Sequence, residues 1–81
     1  MNVRNERLLF DVEGNDGVVY FVEIYRDSHL VHVERTLDGA YAEVESSSSD
    51  MLVLVHEAIL LVEKVSTGSV DLKTVYDEYP F

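Results

Sequence analysis

Apolar positions fall in short strand-length blocks over the first half of the chain and then gather in one long block. Residues 8–12 read LLFDV, a short strand, and Gly14-Asn15-Asp16-Gly17 follows as a turn. Gly, Asn and Asp accept the φ > 0 geometry of tight hairpins. Residues 18–26 read VVYFVEIYR, β-branched and aromatic on both faces, the mark of a strand near the centre of a sheet. Asp27-Ser28-His29 turns the chain into residues 30–37, LVHVERTL. Asp38-Gly39 reads as a two-residue hairpin turn, and residues 40–45, AYAEVE, alternate cleanly.

These turns predict a register. Around Asp27–His29, Tyr25 faces Leu30, Ile24 faces Val31 and Val22 faces Val33. Around Asp38-Gly39, Leu37 faces Ala40, Arg35 faces Ala42, Val33 faces Val44 and Glu34 faces Glu43. One face then collects Val18, Tyr20, Val22, Ile24, Val31, Val33, Leu37, Ala40, Ala42 and Val44. Ala40 and Ala42 leave room for a helix to approach. On the other face, a register set by Asn15-Asp16 adds Leu8, Phe10 and Val12 to Val19, Phe21, Glu23 and Tyr25. That face is predicted to be apolar over the first two strands and acidic over the last two, through Glu34, Glu43 and Glu45. Glutamates on exposed strands also blunt self-association, so the acidic half has a purely structural reading as well.

Ser48, Ser49 or Asp50 is placed to cap a helix over residues 50–65. Residues 51–65 read MLVLVHEAILLVEKV, and that length suits a helix. Its valines favour strands, so two short strands are the alternative. The polar positions His56, Glu57, Glu63 and Lys64 form one narrow stripe. The rest of the circumference is apolar and calls for cover on more than one side. Gly68 is placed to end the helix. Leu72, Val75, Tyr76 and Tyr79 recur at helical spacing, which predicts a short second helix over residues 69–79, stopped by Pro80. The expected architecture is α+β in one domain, residues 1–81: an antiparallel meander of about four strands over residues 8–45, a long apolar helix and a short C-terminal one.

Charge changes this picture. Sixteen Asp and Glu oppose six Lys and Arg, a formal net charge of -10 on 81 residues, while 47% of residues are apolar. The apolar share excludes a disordered acidic tail. The scattered Arg4, Arg7, Arg26, Arg35, Lys64 and Lys73 form no basic stripe, which argues against direct contact with nucleic acid. There are no cysteines, hence no disulfide and no thiolate metal site. Residues 1–7, MNVRNER, lack the apolar core of a signal peptide, and no segment reaches the ~20 apolar residues of a membrane span. A cytoplasmic protein without membrane association is expected.

Candidate chemistry adds little. Gly14 and Gly17 lack the lysine and following helix of a phosphate loop. His29 and His32 point to opposite sides of one strand, and His56-Glu57 lacks the second histidine of a zinc protease. No catalytic residue, cofactor or metal site is assigned. Glu34 with Glu43 has the chemistry of an acid–base pair but no evident cleft. Tyr41, between the acidic positions, suits a partner contact, with plain packing against Thr36 as its alternative.

The expected function is therefore non-catalytic. Glu34, Asp38, Tyr41, Glu43 and Glu45 would dock on a basic surface of another protein, and excess apolar surface points to a homodimer. In size, charge and mixed α/β content the chain is similar to small acidic viral proteins that inhibit host restriction or CRISPR nucleases. That resemblance implies a nucleic-acid mimic whose carboxylates occupy the phosphate site of a nucleic-acid enzyme. An antitoxin-like or adaptor subunit is one alternative. A structural or salt-adapted small domain with no inhibitory role is another.

Overall fold

The computed structural model describes residues 7–74. Four strands, β1 (Arg7–Glu13), β2 (Val19–Tyr25), β3 (Leu30–Arg35) and β4 (Tyr41–Glu45), form one antiparallel sheet in the order β1-β2-β3-β4. Among the described residues one helix, α1 (Met51–Ser66), is present, and it lies across β2 and β3. The apolar block is thus one helix rather than two strands.

Period-two alternation sends Tyr20, Val22, Ile24, Val31 and Val33 to the helix side, where each is fully buried. Leu54, Ala58, Leu61, Val62 and Val65 of α1 meet them. Ala42 is buried in the same cluster, but the helix packs on β2 and β3 rather than coming close over β4 as expected. Each large aliphatic side chain withdrawn from water here contributes ~1.5–3 kcal/mol before entropy is counted.

The helix begins as the serine-rich linker suggests. Asp50 is its N-cap, and its Oδ1 accepts the Leu52 N–H at 2.9 Å. Ser48 Oγ accepts the Asp50 N–H and Ser46 Oγ accepts the Ser48 N–H, a relay that leads the chain from β4 into the helix. At the other end Gly68 sits at φ 86° as the C′ residue. The Ser69 N–H donates to the Lys64 carbonyl and the Gly68 N–H to the Val65 carbonyl, the paired bonds of a Schellman ending.

The central hairpin has the expected register: Tyr25 faces Leu30, Ile24 faces Val31 and Val22 faces Val33. The two flanking hairpins differ. Between β1 and β2 the loop holds three residues, closed by Gly14 N–H to Val18 carbonyl and Gly17 N–H to Gly14 carbonyl. Phe10 therefore pairs with Val22 and Val12 with Tyr20. This one-residue shift moves Leu8, Phe10 and Val12 from the outer face to the core. The apolar outer patch expected over β1 and β2 is replaced by one in which Leu9, Val19 and Phe21 are interleaved with Asp11, Glu13 and Glu23.

Between β3 and β4 the loop is longer than the two-residue turn expected at Asp38-Gly39. The Arg35 N–H donates to the Ala40 carbonyl, and the Asp38 and Gly39 N–H groups both donate to the Arg35 carbonyl. The register moves by two, so each residue keeps its face. Val33 pairs with Ala42 and Val31 with Val44. Glu34 faces Tyr41, and the opposed pair Glu34–Glu43 does not form. Leu37, expected in the core, stands on the loop 76% exposed, and Val44 at the sheet margin is 39% exposed.

The expected second helix over residues 69–79 is also corrected. Among the described residues no second helix is present. Lys73 pairs antiparallel with Tyr41, through Tyr41 N–H to Lys73 carbonyl at 2.8 Å and Lys73 N–H to Tyr41 carbonyl at 2.7 Å. Val70 and Leu72, two apart as in an extended chain, pack on the core. The open edge of β4 offers backbone partners at once, whereas a short helix must nucleate before it gains any. Residues 75–79 of that expected helix, with Tyr76 and Tyr79, lie outside the described residues.

Candidate interaction surface

The outer face of the sheet is built by alternation alone. β1 contributes Arg7, Leu9, Asp11 and Glu13. β2 contributes Val19, Phe21, Glu23 and Tyr25. β3 contributes Leu30, His32 and Glu34, and β4 Tyr41, Glu43 and Glu45. Carboxylates thus come from every strand, more broadly than the β3–β4 half expected from sequence. The pairing of Lys73 with Tyr41 sets Lys73 on this face too.

His32 stands at the centre of the face, between Glu23 on β2 and Glu43 on β4. Its ring, 16% exposed, lies with Nδ1 2.9 Å from Glu43 Oε2 and Nε2 3.8 Å from Glu34 Oε1. With a proton on Nδ1 it donates to Glu43. The Tyr41 ring stacks on the imidazole, centroids 5.3 Å apart and planes 20° from parallel. Tyr41 thus stacks on His32 and stands across the strand pair from Glu34. Thr36 is turned away, its hydroxyl donating to the Val19 carbonyl at 2.8 Å. Nearby, the Tyr25 hydroxyl donates to Glu23 Oε2 at 3.0 Å, and Arg7 lies over the Tyr25 ring at 5.9 Å.

The five candidate residues divide by place. Glu34, Tyr41 and Glu43 converge around His32. Glu45 lies at the end of β4, opposite Leu30. Asp38 belongs to the hairpin loop and is bound by Arg35 in a two-pronged ion pair, Nε to Oδ1 at 3.0 Å and Nη2 to Oδ2 at 2.6 Å. The Arg35 hydrogen bonds, then the Ala40 N–H, hold the Asp38 carboxyl down at about 2. Its charge is already matched, so it adds little to an acidic surface.

His32, Asp11, Glu13 and Glu23 belong to the face but were not singled out from sequence. Strand alternation carried the signal for His32 and Glu23, whereas the register expected from Asn15-Asp16 set Asp11 and Glu13 on the opposite side. The two-residue turn expected at Asp38-Gly39 set Glu43 opposite Glu34 and so hid its pairing with His32.

Elsewhere, a groove of about 490 Å³ runs between the end of β4 and α1, lined in part by Val44, Glu57, Leu60 and Lys64. Among the described residues no group of His, Asp and Glu is arranged to hold a metal ion, and no helix is long and apolar enough to cross a membrane. Comparisons with protein-family models, curated proteins and solved structures return no match.

Proposed function

We propose that this protein is a non-catalytic acidic binding domain that docks the outer face of its sheet on a basic surface of a partner protein. One observation carries the reading: Asp11, Glu13, Glu23, Glu34, Glu43 and Glu45 share that face, around an ordered Tyr41–His32 stack. Such a field steers a basic partner in and rejects acidic ones, and a rigid tyrosine at its centre supplies contact area at small entropic cost.

The finer form of the proposal is a nucleic-acid mimic that blocks a nucleic-acid enzyme. Asp11 with Glu13, and Glu43 with Glu45, are two apart on their strands, hence roughly 6.6 Å apart. That is close to the ~7 Å between successive phosphates along a nucleic-acid strand. A coat acquired for salt tolerance would spread charge over the whole body, whereas the outward side of α1 is largely apolar.

Affinity capture from the native cell, with wild type beside a variant carrying Glu34→Gln, Glu43→Gln and Glu45→Gln, tests the reading. A partner held by wild type and lost by the variant, with unchanged circular dichroism, supports it. Displacement of that partner by duplex DNA supports the mimic. A partner held equally by both proteins sinks it.

A further inference from the structure

Helix α1 turns a second apolar face to solvent. Leu54, Ala58, Leu61, Val62 and Val65 face the sheet, while Leu52 is 80% exposed, Val53 38%, Ile59 46% and Leu60 38%. At 100° per residue these four flank His56, which sits mid-face and exposed. Leu52 and Leu60 lie four residues before and after it, Val53 and Ile59 three before and after. The pattern reads the same in both directions.

We propose that this face is the interface of a homodimer, with α1 packed antiparallel on α1 of a second copy and the two-fold axis passing at His56. A two-fold interface must complement itself, and a palindromic stripe on a helix does so when the helices run antiparallel. Leu60 then lies beside Val53 of the second copy, on the same side of the contact, and Ile59 beside its Leu52. Lys64, in the last turn, comes within reach of the second copy's N-cap Asp50, a contact made twice by symmetry. Glu63 approaches the start of the second helix, where the backbone dipole favours a carboxylate.

Charge distribution selects this face over the other broad face. Each copy carries a net charge of -10, and the sheet's outer carboxylates would repel a second copy. The helix side lies beyond a core layer of roughly 10 Å, more than the ~8 Å Debye length at physiological salt. The strip measures roughly 24 Å by 10 Å. It is small beside the ~800 Å² per partner of a standard interface, so the dimer dissociates in the micromolar range, and added salt tightens it by screening the remaining repulsion.

The chain has no cysteine, so His56→Cys introduces a single thiol. Helix axes ~9 Å apart with Cα atoms ~2.3 Å off axis bring the two Cα atoms at position 56 to roughly 4–5 Å, within disulfide range. Oxidised His56→Cys should run as a covalent dimer, while Leu37→Cys, on the exposed β3–β4 loop and outside the proposed interface, should not. Sedimentation of wild type at tens of micromolar should give twice the 9.2 kDa chain mass. Leu60→Glu should raise the dissociation constant at least tenfold. A wild-type monomer at that concentration, including one whose helix face is covered by a different protein in the cell, overturns the proposal. So does equal cross-linking of the two cysteine variants, or a dimer untouched by Leu60→Glu. Because the sheet face is unaltered in these variants, failure here leaves the acidic-face test standing on its own result.

Discussion

His32 of β3 and Glu43 of β4 stand directly opposite each other, with 2.9 Å between Nδ1 and Oε2, and Tyr41 stacks on the same imidazole. This cross-strand pair joins the inner strand β3 to the edge strand β4 at the acidic face. It holds Tyr41 and Glu43 in fixed relation to each other.

A double-mutant cycle with His32→Ala and Glu43→Ala should show a favourable coupling of ~0.3–1 kcal/mol in urea unfolding, the range of partly exposed cross-strand pairs. Glu43 is 41% exposed, which keeps the figure low. A cycle with Glu34→Ala in place of Glu43→Ala should couple more weakly, since Glu34 is 3.8 Å from the ring. Equal couplings would contradict the observed register.

Asp38 links stability to acid. Its folded pKa, about 2, lies below the ordinary 3.8. A depressed carboxylate contributes stability that is complete above its unfolded pKa and is lost as pH falls through the folded one. The contribution of Asp38 should therefore fade between about pH 4 and pH 2. Asp38→Asn should lower the melting temperature at pH 6 and narrow its gap to wild type as pH approaches 2. A gap that stays constant over that window would show that the Arg35 pair is not the cause.

Gly14 is a packing contact between the first hairpin and the end of the helix. A Cβ there would stand 2.7 Å from Ser66 Cβ and from Tyr20 Cε1. The neighbouring Asn15 N–H donates to Ser66 Oγ at 3.0 Å, so the hairpin has little freedom to retreat. Gly14→Ala should destabilise the fold by ~1–3 kcal/mol, as overpacking does. Thermal unfolding checks this, and Ser66→Gly in the same chain should recover part of the loss.

Local patterns determined much of this protein. Alternation along β2 and β3 settled their faces, and the Asp27–His29 turn settled their register. The serines and Asp50 marked the helix start, Gly68 marked its end, and the length of the apolar block marked it as a helix. These features are legible because each rests on neighbours within a few residues. Tertiary structure decided the rest. Backbone bonds across the loops at residues 15–17 and 36–39 added residues that a turn motif does not count. A one-residue slip carried Phe10 into the core, and a two-residue slip exchanged Glu34 for His32 as the partner of Glu43. The open edge of β4, which exists only once the sheet has formed, took Lys73 into backbone pairing where its own stretch of sequence favoured a helix.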